Sequence, residues 1–203
     1  MRTFFPAIVL SFIFTILISS NMYASEQPVP SMEFDTSTTT GKLLSQFHQV
    51  KTQKKLIPLK KKVLNLGGKS VKALIRVMKD SRFPEKSQWT STFLLAKIAG
   101  KKSSSFLLKF LNHPNWMMRT ASLKALLGLG EKRFGDQYAK LLKDKSLIVR
   151  VQALENIREL GLTKYAPQVW SMLYDESNYH QVEGKNKRAD IIKSVILAIG
   201  ELD

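Results

Sequence analysis

The sequence predicts an all-α fold, a right-handed α-solenoid of about four helical hairpins plus a closing helix, and three observations predict it. Glycines recur at Gly67, Gly100, Gly130, Gly161 and Gly200, at intervals of 33, 30, 31 and 39 residues. The residues eight, four and one positions before each glycine are mostly apolar and share a helical face: Leu59, Val63 and Leu66; Thr92, Ala96 and Ala99; Ser122, Leu126 and Leu129; Ala153, Ile157 and Leu160; Ile192, Ile196 and Ile199. A second amphipathic segment follows, with Val71, Ile75 and Met78, then Phe134, Tyr138 and Leu141, then Tyr165, Val169 and Met172 at offsets of four, eight and eleven. After Gly100 the match returns when one residue is deleted, with Leu107 and Phe110 in the later positions.

Each glycine stands where a helix is expected to end, because glycine enters the left-handed region without a Cβ clash. A hairpin of about 31 residues is too thin to bury its own apolar face, so successive copies are expected to stack.

Upstream of the repeats the chain changes character. One cation, Arg2, precedes an uncharged stretch from Thr3 to Ser25 with the apolar run FFPAIVLSFIFTILIS, the pattern of a secretory signal peptide over residues 1–24. Cleavage after Ala24 is expected; the competing reading is an uncleaved membrane anchor. Residues 25–41, SEQPVPSMEFDTSTTTG, have the Ser/Thr/Pro-rich composition of a flexible tether. The folded domain is expected over 42–203.

Composition excludes several chemistries. The 203 residues include no cysteine, which removes disulfides, thiol catalysis and Cys-based zinc sites. The three histidines, His48, His113 and His180, are too far apart in sequence for a helix-borne metal pair. No Gly-rich phosphate loop or nucleophile elbow is present, so no enzyme activity, cofactor or metal is expected.

The stretch DKSLIVRVQALENIREL, Asp144 to Leu160, resembles the HEAT repeat family, in particular the short HEAT-like repeats of phycobilisome lyases. It carries the family's Asp, Val and Arg as Asp144, Val149 and Arg150. The copy before it keeps Arg119 but has His113 in place of the Asp, and the copy before that has Trp89 in place of the Arg. The resemblance implies a structural ladder between repeats through Arg119, Asp144 and Arg150. It also implies that second helices line the concave surface. It carries no specific function.

The last interval is longer than its neighbours, and the surplus falls in DESNYHQVEGKNKR, residues 175–188, expected as an inter-repeat loop. Tyr179 and His180 are its aromatic candidates for partner contact.

Charge is distributed unevenly. Residues 36–130 hold 19 basic and 2 acidic side chains, whereas residues 131–203 hold 12 and 11. Lys69, Lys72, Arg76 and Lys79 fall on one helical face, and Lys102, Lys109, Lys132, Lys140 and Lys143 continue the pattern along later second helices. These residues are expected to form a basic binding stripe. Lys60, Lys61 and Lys62 form a separate cationic run that could meet an anionic membrane or wall polymer.

Together these features describe an exported, non-enzymatic binding or scaffold module, bacterial and periplasmic or secreted, that holds an acidic protein or polyanionic polymer. The alternatives are a nucleic-acid binder similar to HEAT-like DNA glycosylases, against which the export signal argues, and a self-associating structural solenoid. Bilin-lyase chemistry, suggested by the repeat subtype, has no residue-level support.

Overall fold

The computed structural model describes residues 32–182, 185–188 and 191–202. The export segment, its cleavage position and residues 25–31 of the tether lie outside the described residues. The chain divides into two units, 1–33 and 34–203, and the second holds every described helix and strand.

That second unit is helical apart from one short ladder. Its α-helices are α1 (Thr39–His48), α2 (Gln53–Leu66), α3 (Val71–Lys79), α4 (Glu85–Ala99), α5 (Ser104–Lys109), α6 (Trp116–Gly128), α7 (Gly135–Leu141), α8 (Leu147–Glu159), α9 (Ala166–Ser171) and α10 (Ile192–Leu202). Strands β1 (His180–Val182) and β2 (Lys185–Arg188) pair antiparallel, with His180 opposite Arg188 and Val182 opposite Lys185. The surplus segment therefore forms a 3-10 turn at Glu176–Asn178 and a hairpin, where a loop was expected.

Folding starts earlier than Lys42. Thr38 caps α1 by accepting the Gly41 N–H at 3.0 Å, so the helix begins at Thr39. Phe34 packs on His48 and Phe83, ring centroids 5.7 and 5.9 Å away, which ties the preceding segment to the core.

Gly67, Gly100, Gly130 and Gly161 have φ of 52°, 56°, 66° and 60° and end α2, α4, α6 and α8 through a left-handed residue. Gly200 lies inside α10 and has no such φ. The buried residues of α10 and the residue before it are Ile191, Val195, Ala198, Ile199 and Leu202, while Ile196 is 58 % exposed. Ile191, Val195, Ile199 and Leu202 stand 12, 8, 4 and 1 positions before residue 203, the spacing Met118, Ser122, Leu126 and Leu129 keep before Gly130. The last repeat interval is thus 42 residues, and its register is not set by Gly200.

A second register correction concerns the first pair. Its buried positions are Ser70, Leu74, Val77 and Met78, matching Ser103, Leu107, Phe110 and Leu111 of the next, so the one-residue deletion applies to both. Val71 and Ile75 are only half-buried. The shorter turn is closed by serine: Ser70 and Ser103 each donate Oγ–H to the glycine carbonyl three residues back, both at 2.7 Å. The longer turns instead bury Phe134 and Tyr165 four residues after the glycine.

The helices that pack most closely across a connection are also not those expected. α3 lies against α4, α5 against α6, α7 against α8 and α9 against α10, while α2 and α3, on either side of Gly67, touch only sparsely. The left-handed glycine and the 3-10 turn after it lead the chain away from the helix just completed. The even-numbered helices are then neighbours in order, α2 to α4, α6, α8 and α10.

Candidate functional site

All nine basic stripe residues are exposed. Lys72, Arg76 and Lys79 rim a depression of about 550 Å³ with Thr40, Ile75, Asp80 and Ser81. Lys79 Nζ stands 5.9 Å from the Phe106 ring centroid, which brings the end of α3 to α5, the helix that also carries Lys109. Among the described residues, none of Lys69, Lys72, Arg76, Lys79, Lys102 and Lys109 forms an ion pair within 4.0 Å. The nearby carboxylate, Asp80, is engaged by Arg82 through two bonds of 2.9 and 2.7 Å. The Arg82 hydrogen bonds hold the Asp80 carboxyl below its ordinary range, with a smaller contribution from Arg76.

The later part of the stripe differs. Asp136 receives the Tyr165 hydroxyl at 2.7 Å and stands 3.7 Å from Lys164. Its carboxyl is lowered first by that hydroxyl, then by Lys164 and, less, by Lys140. Asp175 is lowered by its bonds from Ser177 and, less, by Arg150 and Lys143. Lys140 and Lys143 therefore have acids at hand. Among the described residues the first six cations, on the Gly67 turn, α3, the Gly100 turn and α5, have one acid near them, Asp80 beside Arg76, and Arg82 already holds it.

Tyr179 turns its hydroxyl inward, donating to the Leu173 carbonyl at 2.6 Å. The His180 backbone is in β1; its side chain lies outside the described ones.

Both ladder arginines are fully engaged. Arg119 donates to Asp144 at 2.8 and 2.7 Å and to the His113 and Pro114 carbonyls at 2.8 and 2.9 Å. Arg150 donates to Asn178 Oδ1 and to the Asp144 and Ser177 carbonyls, each at 2.8 Å. At Trp89's copy the neighbouring Gln88, nearly buried, donates to the Asp80 carbonyl at 2.8 Å. His113 Nδ1 accepts the Asn115 N–H at 3.1 Å, and Asn115 opens α6 by accepting the Met117 N–H.

A feature not read from the sequence lies on the even-numbered helices. Trp89 of α4, Trp116 of α6 and Ile148 of α8 line an open groove of about 640 Å³ that Lys60, Lys86 and Lys124 also reach. The exposed positions of these helices, Ile57, Trp116, Ile148 and Val151, match no buried period, so periodicity alone gave no hint of them.

Among the described residues no group of three His, Asp or Glu side chains is placed to hold a metal, and no helix is long and apolar enough to cross a membrane. No protein-family model matches the chain, and no curated protein matches it.

Proposed function

We propose that this chain is an exported, non-enzymatic binding module, a right-handed HEAT-like α-solenoid whose cationic face holds an acidic protein or polyanionic polymer. One observation carries this reading: six exposed cations from Lys69 to Lys109, on the turns after Gly67 and Gly100 and on α3 and α5, form no ion pair among the described residues, and the acid beside Arg76 and Lys79, Asp80, is already engaged by Arg82. Crowded like charges oppose a compact state until a counter-charge arrives, and they speed encounter with one. At physiological salt the field reaches about 8 Å, so the partner must touch the surface.

The solenoid reading is supported by the order of neighbours along the even-numbered helices and by the Arg119–Asp144 link between successive copies. Export is supported by the uncharged Thr3–Ser25 stretch after Arg2. The Asp144–Arg150 turn joins α7 to α8, so by resemblance the even-numbered helices, not the basic odd-numbered ones, take the concave side. The cationic face is then the outer one.

The test is charge reversal at Lys69, Lys72, Arg76 and Lys109, all to Glu, read by binding to polyglutamate and by helical circular dichroism. The expected result is at least tenfold weaker binding with an unchanged spectrum. Unchanged binding overturns the reading.

A further inference from the structure

The groove on the even-numbered helices stands apart from the cationic face. We infer that it is a second binding site, for an extended acidic peptide that carries apolar anchor side chains. It does not rest on the proposal above.

The groove joins two chemistries. Trp116 is 41 % and Ile148 50 % exposed, and with Trp89 of the preceding helix they line one groove rather than standing singly. Tryptophan in a concave patch is a frequent anchor for a protein partner. Around these three stand Lys60, Lys86 and Lys124, one on each of α2, α4 and α6, and none of them is in an ion pair among the described residues. The acid in the groove, Glu85, already accepts from Asn115 Nδ2 at 2.9 Å, and the Thr120 hydroxyl is spent on the Trp116 carbonyl at 3.0 Å.

This inventory selects the occupant. Free donors outnumber free acceptors, which disfavours a neutral sugar whose hydroxyls need both. Cations on three successive helices call for several carboxylates, where a fatty acid brings one. The concavity excludes a flat membrane surface. Four helices about 8–10 Å apart leave three spacings, so the site extends over about 24–30 Å, the length of about seven to nine residues of extended chain. A strand also sends alternate side chains to opposite sides, so acidic and apolar residues can reach lysines and tryptophans in turn.

The experiment uses the full chain and two nine-residue peptides, one alternating Glu with Leu and Phe, the other replacing Leu and Phe by Ser. Tryptophan emission should shift to shorter wavelength with the first and not with the second. Affinity for the first should fall at least tenfold in Trp116→Ala and in Lys86→Glu/Lys124→Glu, both exposed changes whose folding circular dichroism checks. The Lys69, Lys72, Arg76 and Lys109 reversal should leave it unchanged, which separates this site from the cationic face. Equal binding of the serine peptide overturns the proposal. So does displacement of the first peptide by phosphatidylglycerol vesicles or by a neutral glucan.

Discussion

Tyr138 donates its hydroxyl hydrogen to the backbone carbonyl of Glu131 at 2.9 Å, seven residues back and in full burial. The bond closes the turn that follows Gly130. Burial first, and the Glu131 charge second, push the phenol above its ordinary range.

That shift sets a pH dependence. The folded phenol keeps its proton while an unfolded tyrosine loses it near pH 10, so the contribution to stability is complete below about pH 10 and is lost as pH rises beyond it. Urea unfolding at rising pH should show a slope that Tyr138→Phe reduces, with a loss of about 1 kcal/mol at neutral pH from the missing bond.

Arg119 and Asp144 form a pair whose side chains are 5 % and 8 % exposed. Removing one partner strands the other: Arg119→Met should destabilise by about 3–5 kcal/mol, whereas a joint Arg119→Met and Asp144→Leu exchange should recover only part of that, because the His113 and Pro114 carbonyls and the Ser146 N–H also lose their partners. Denaturant midpoints of the singles and the double measure the difference.

The glycines should separate by backbone region. Gly161→Ala puts a Cβ into the left-handed region and should cost about 1–2 kcal/mol, although no atom lies within 4 Å of that Cβ. Gly200→Ala, within α10, should stabilise by about 0.5–1 kcal/mol. Thermal unfolding of the two variants checks both signs.

Ser91 and Ser122 are fully buried, and their hydroxyls have no hydrogen-bond partner among the described residues. Ser122→Ala removes an unmet polar group with almost no change of volume, so stability should rise by up to about 1 kcal/mol. Urea midpoints check it.

Local chemistry was the legible part of this chain. Left-handed glycine depends on the residue alone, so Gly67, Gly100, Gly130 and Gly161 could be read as helix ends from the sequence. Gly200 misled because glycine is also tolerated inside a helix, and only the burial of Val195 and Ile199 with the exposure of Ile196 reveals the register. That α3 pairs with α4 rather than α2 is a tertiary outcome of how the 3-10 turn directs the chain, and no periodicity reports it. The basic stripe was legible as charge; Asp136, four residues before Lys140 on α7, could be read from spacing, whereas Asp175 nears Lys143 only through folding. The Trp116 groove was invisible for the same reason: residues from four helices meet there, each unremarkable in its own segment.

Lysine acetylation footprinting with and without polyglutamate tests the cationic face most directly. Protection should concentrate on Lys69, Lys72, Lys79, Lys102 and Lys109, with Lys164 and Lys193 unchanged. Uniform protection, or protection confined to Lys86 and Lys124, would contradict it.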